Sequence, residues 1–165
     1  MRGRNFHKID IAITQWMASH AIQLTRLSIG IIFFWFGILK FFQGMSPAEN
    51  LAIDTIQKLT FGILSNNFII YGLATWETLI GIGLIFNLFL RETLFLLYLQ
   101  MLGTLTPIVL FPEKVFHIFP YSLTLEGQYI FKNLVIISAG IVIGATVRGG
   151  KIVTEFFITK QNRND

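Results

Sequence analysis

The sequence predicts an all-α integral membrane protein: a four-transmembrane-helix bundle with amphipathic interfacial helices. Three observations carry this. Apolar residues make up 53% of the 165-residue chain and charged residues only 13%, about half the ~25% usual in soluble domains. Four apolar stretches stand near the length needed to cross a ~30 Å hydrocarbon core. None of them alternates in polarity over about ten residues, as a membrane-spanning β-strand would. Cysteine is absent, which excludes disulfides, thiolate nucleophiles and Cys-bound zinc.

Residues 1–20 form a first segment. Phe6, Ile9, Ile13, Trp16, Met17 and His20 make one stripe behind a basic start of Arg2, Arg4, His7 and Lys8. This pattern predicts a cytoplasmic amphipathic helix on the membrane surface rather than a cleaved leader. The transmembrane domain follows over 21–147. Its first span covers about 21–42, with Arg26 and Lys40 bounding an uncharged core, Leu27–Leu39. That core covers only about 20 Å at 1.5 Å per residue, so both charges must snorkel or face protein.

Residues 43–67 connect to the next span and carry an outer amphipathic helix over about 47–64. Ser46, Pro47 and Glu49 fit a capping box with proline in the first turn. Ala48, Leu51, Ala52, Ile56, Leu59 and Ile63 line one face, and Asn50, Asp54, Gln57 and Lys58 the other. The second span, 68–90, contains one charge, Glu77, and the third, 93–111, contains none. Arg91-Glu92 between them is read as a tight turn that makes the two antiparallel neighbours.

In the third span, Pro107 follows Thr104 and Thr106 and is expected to kink the helix and free carbonyls toward the interior. Residues 112–126 are read as a loop punctuated by Pro112 and Pro120. The fourth span, 127–147, carries only Lys132 as a charge, with Glu126 at its start, where a carboxylate suits the helix dipole. Gly140 and Gly144 make a small-xxx-small helix-contact face. Residues 148–165 are a cytoplasmic tail, within which 152–158 reads as a short strand or an interfacial piece.

Positive charge sets the orientation. Arg2, Arg4, Lys8, Arg91, Arg148, Lys151, Lys160 and Arg163 fall on one side, and only Lys58 and Lys114 on the other. The positive-inside rule then puts both termini in the cytoplasm. The net charge of +4 is thereby accounted for by topology, with no nucleic-acid partner; the lipid bilayer is the partner the sequence requires.

Depth along the helices gathers the polar groups in the outer half of the bundle. Lys40, Glu77, Gln100, Thr104, Thr106, Lys132 and Asn133 are the candidates for a ligand pocket or proton path. Glu77 and Lys132 lie at depths that a lysine stem can bridge, so these two can pair if their helices touch. Such a pair either fixes helix register or, with Lys40, lines a pocket open to the outer face. Arg26, Pro107, Gly140 and Gly144 are assigned structural roles, and Arg26 is read as a snorkelling anchor. His7, His20 and His117 have no metal-ligand spacing, so no metal is expected. Phosphate-loop, dinucleotide and hydrolase motifs are absent. The catalytic residues are unknown, and the sequence leans against an enzyme acting as an isolated chain.

Leu24–Phe42, LTRLSIGIIFFWFGILKFF, together with Tyr71-Gly72, Glu77-Thr-Leu-Ile-Gly81, Thr106-Pro107, Phe119-Pro120-Tyr121 and Lys132, resembles the RclC/YkgB family of small bacterial inner-membrane proteins. That family lies within the DoxX-like superfamily, and the likeness covers roughly residues 20–148. It implies a multi-pass protein of the bacterial cytoplasmic (inner) membrane, associated with resistance to reactive chlorine and other oxidative stress. Wider DoxX-like relatives serve as membrane subunits beside oxidoreductases, including quinone-linked thiosulfate oxidation. Arg26, Lys40, Glu77, Pro107 and Lys132 are the matching positions, and no catalytic residue is carried over. The first outer loop is shorter than in RclC-type proteins, and Asn133 stands where an acidic residue can follow the lysine.

Three functions are compatible with these residues. The leading one is a redox- or oxidative-stress-linked membrane subunit whose outer-half polar pocket takes a quinone or similar small molecule. Its partner would be an oxidoreductase or a second copy of the chain. The others are a small-solute or anion transporter or channel, and a structural membrane anchor or assembly partner.

Overall fold

The computed structural model describes residues 2–42, 44–46, 49–150 and 152, with side chains from His7 onward. Among the described residues, four helices are long and apolar enough to cross a membrane. They are α1 (Arg2–Leu39), α3 (Asn66–Phe86), α4 (Leu90–Leu105, continued to Leu110 by the short α5, Pro107–Leu110) and α7 (Leu125–Thr146). A helix satisfies its backbone groups internally, the condition for standing in hydrocarbon. The outward side chains of these helices, among them Ile31, Trp35, Leu79, Phe95 and Val135, are exposed, as a lipid-facing surface requires.

No break separates the N-terminal stripe from the first span: α1 runs unbroken through residues 20 and 21. Its 38 residues measure about 57 Å at 1.5 Å per residue, well beyond one hydrocarbon thickness. Nothing in residues 17–24 breaks a helix. His20 instead tightens the turn there, with Nδ1 2.9 Å from the Trp16 carbonyl and its ring stacked on Trp16.

The spanning helices close into a ring in which α1 touches α3 and α7, and α4 touches α3 and α7. The shared core is Ile29 and Phe33 of α1, Ile80 and Leu84 of α3, Leu94, Leu97 and Met101 of α4, and Ile143 of α7. α1 and α3 pack most intimately, because glycines let their backbones meet. A Cβ on Gly37 would stand 2.6 Å from the Thr78 nitrogen, and one on Gly81 would run into the Phe34 backbone. Gly140 and Gly144 face Tyr98 of α4. The small-residue face of α7 is therefore used inside the chain.

Arg26 binds the far end of α3. Its Nη1 donates to the carbonyls of Leu84 and Ile85, the latter at 3.2 Å. A guanidinium on the last carbonyls of a helix suits the dipole there and satisfies groups that have no helical partner. The anchor is thus an interhelical clasp. The α3–α4 turn is Asn87-Leu88-Phe89, with Asn87 and Phe89 at positive φ. Arg91 and Glu92 belong to the first turn of α4 rather than to the connection.

At the opposite end lies α2 (Glu49–Leu59). Pro47 and Ala48 of the expected capping box lie outside the described residues; the Glu49 carboxylate accepts from the Gly44 N–H at 3.3 Å. α2 is shorter than the pattern predicts. Phe61 and Gly62 turn the chain at positive φ, so Ile63 leaves the stripe and is 81% exposed. Residues 112–126 hold more structure than a loop: α6 (Pro112–Val115) and a hairpin of β1 (Phe116–Ile118) with β2 (Ser122–Leu123). Leu51 of α2 packs there with Val115, Phe116 and Ile130, a second small core that seats α2 on the bundle. Within the predicted piece 152–158, only Ile152 is among the described residues.

Candidate functional site

α2 roofs a cavity of about 490 Å³ between α3, α4, α5 and α7, inside the ~300–1,000 Å³ range of small-molecule sites. The apolar stripe of α2 forms the roof, with Leu51, Ala52, Thr55, Ile56 and Leu59 turned inward. On the outer face of α2, Asp54 pairs with Lys114 at 2.5 Å, and Lys58 Nζ donates to the Leu110 carbonyl at 3.0 Å. The amphipathicity legible in the sequence is therefore used twice: one face covers the cavity and the other is tied to the 110–114 connection.

The polar groups stand together on the inner wall. Lys40, just past the end of α1, donates to Glu77 Oε2 of α3 at 2.6 Å, and Gln100 of α4 donates to Glu77 Oε1 at 2.9 Å. Lys40 and Glu77 are only 8% and 9% exposed. Asn133 of α7 donates to Thr104 Oγ1 at 3.0 Å on the same wall. An isolated buried charge is costly; here Lys40 and Glu77 face each other as an ion pair, with Gln100 satisfying the second carboxylate oxygen. The rest of the lining is largely apolar and aromatic, with Phe68, Trp76 and Tyr129 prominent.

Helix geometry explains how each group arrives. Pro107 has no N–H, so α4 tightens before it: the Thr106 N–H turns to the Gly103 carbonyl at 3.2 Å, and Thr106 Oγ1 donates to that same oxygen at 2.7 Å. The freed acceptor is thus taken up locally. Pro107 and Thr104 line the cavity, whereas Thr106 does not. At the start of α7, Thr124 is the N-cap, its Oγ1 accepting from the Gly127 N–H at 3.0 Å. Glu126 is two residues further in and reaches the cavity wall.

The structure brings together Lys40, Glu77, Gln100, Thr104 and Asn133 and leaves Thr106 and Lys132 outside. The Glu77–Lys132 pair that the depths allow does not form. Lys132 is exposed on the outer side of α7, with its Nζ 5.6 Å from the Tyr129 ring centre. Depth along the helices permits either lysine to reach Glu77; rotation about the helix axis decides for Lys40. Trp76 also lines the cavity, while its indole N–H donates to the Leu96 carbonyl at 3.3 Å. Its position one residue before the buried carboxylate was the available signal.

A ring of four spanning helices, with a roofed cavity and a buried ion pair on its wall, defines a multi-pass membrane protein with an internal cavity. The DoxX family model matches residues 21–111. This is more than half of the chain, and the chain belongs to the DoxX family. The match contains Lys40, Glu77, Gln100, Thr104 and Pro107; α7, with Glu126 and Asn133, lies beyond it. The searches of curated proteins and of solved structures gave no match.

Proposed function

We propose that the protein binds a quinone or a similar carbonyl-bearing small molecule in the cavity beneath α2, as a redox-linked membrane subunit of the RclC/YkgB type that acts in oxidative stress. The observation that supports this best is the combination of apolar, aromatic walls with clustered donors on one wall. Lys40 carries three N–H donors and gives one to Glu77; Gln100 carries two and gives one to Glu77. Both can therefore donate to a ligand oxygen without breaking the existing bonds. A bound quinone supplies reversible carbonyl-to-hydroxyl redox chemistry. The chain supplies donors that orient the oxygen, walls that exclude water, and in Glu77 a carboxylate able to hold a proton beside it.

In this reading the cavity faces the outer half of a bacterial cytoplasmic membrane, both termini are cytoplasmic, and an oxidoreductase partner exchanges electrons with the ligand. An anion pathway is less well supported. The Lys40 charge is balanced by Glu77, and Lys132 stands away from the cavity, so little net positive charge is left to attract an anion.

The test is a titration of purified protein in nanodiscs with a tail-less benzoquinone, followed by Trp76 emission after Trp16 and Trp35, both exposed, are changed to Phe. Saturable quenching is expected. It should weaken at least tenfold in the charge-neutral double variant Lys40→Met/Glu77→Gln and stay unchanged in Lys132→Ala. Absence of saturation, or equal affinity in the double variant, refutes the reading.

A further inference from the structure

A second hollow of about 520 Å³ lies on the outside of α3, against α4, lined by Tyr71, Thr75, Leu79 and Leu96. It also shares Phe68, Gly72 and Trp76 with the cavity beneath α2. The two spaces therefore border the same strip of α3. Gly72 leaves the gap at this boundary, since a Cβ there would meet nothing within 4 Å. Trp76 stands beside it, held by its bond to the Leu96 carbonyl. Phe68, Tyr71, Gly72, Thr75, Trp76 and Leu79 follow the three-and-four spacing of one helix face. The groove thus runs about 16 Å along the span at 1.5 Å per residue. Tyr71, Thr75 and Leu79 are exposed, and on a spanning helix that surface meets acyl chains.

From this shared boundary and the open space at Gly72 we infer that the ligand is tailed: its head sits at Lys40, Glu77 and Gln100, and its apolar tail leaves between Phe68 and Trp76 to lie in the α3–α4 groove. The inference rests on the cavity being the head-group site and specifies the ligand class as membrane-dissolved and amphipathic. A groove bordering a polar cavity and open to hydrocarbon gives an alkyl or isoprenoid chain apolar contact along its length. It also lets the ligand enter sideways from the bilayer without displacing α2, whose outer face is tied down by Asp54–Lys114.

The experiment compares a tail-less dimethoxy-methyl-benzoquinone with the same ring bearing a ten-carbon chain. Affinities are measured in nanodiscs and corrected for lipid partitioning. The wild type should prefer the tailed ring by at least tenfold. Thr75→Phe and Leu79→Phe fill the groove from outside the cavity, and each should remove most of that preference while leaving the affinity for the tail-less ring unchanged. A diazirine midway along the tail should label Tyr71, Thr75 or Leu79. A tailed preference that survives both substitutions, or labelling confined to α2, overturns the groove assignment and leaves the head-group site standing. Saturable binding of the tail-less ring with no tailed preference does the same. If neither ring binds the wild type, the head-group reading itself fails.

Discussion

The Lys40–Glu77–Gln100 cluster shows at the residue scale why a buried ion pair is retained. Removing one member leaves the other charged and without its partner, which costs about 3–5 kcal/mol, whereas replacing both with neutral groups of similar shape is often nearly neutral. Lys40→Met and Glu77→Gln should each lower the melting temperature in detergent. The double variant should recover most of the loss, and a strictly additive cycle would show that the pair does not stabilise the fold as a unit. Both residues were legible in the sequence as costly intramembrane charges, Thr104 as a polar group at similar depth and Gln100 as a deeper one. Their pairing was not. Spacing along a helix gives depth, but each residue also turns the side chain by about 100°, and that rotation points Lys132 away from the site.

Two expectations follow at the scale of elements. α1 and α3 meet through glycine, so Gly81→Leu must push the Phe34 backbone away and should destabilise by about 1–3 kcal/mol or more. Gly72→Ala, with open space around it, should leave the melting temperature unchanged or raise it slightly. Equal effects at the two positions would contradict the packing. α2 is seated by its apolar contacts, and the Asp54–Lys114 pair is substantially exposed, so the pair is worth under about 1 kcal/mol. Asp54→Asn should therefore speed amide exchange in α2 by less than about tenfold and leave the bundle's melting temperature unchanged. A larger change, reaching α3 and α7, would mean that the pair holds more than the roof. The stripe on α2 was readable in advance. Its end at Leu59 lies ahead of the one readable stop signal, Gly62, because Phe61 turns first and carries no side-chain signal for positive φ.

For the whole molecule, the charge bias predicts which side each connection occupies, and the cysteine-free chain makes this simple to test. Single cysteines at Lys58 and at Arg148 should behave oppositely in intact cells. The first should react with an impermeant maleimide at once, and the second only after the membrane is opened. The reverse pattern would invert the topology and put the roofed cavity on the cytoplasmic side. The number of spanning helices and the amphipathic character of α2 were determined by the sequence alone. Hydropathy and length are local properties, and the bilayer imposes both without reference to the rest of the fold. Tertiary structure alone decided that Lys40 rather than Lys132 meets Glu77 and that α2 roofs the cavity with its stripe. It also decided that the α7 glycines serve Tyr98 and that Trp76 borders both hollows. Each of these depends on the rotation and approach of whole helices, which small residues permit and no single segment encodes.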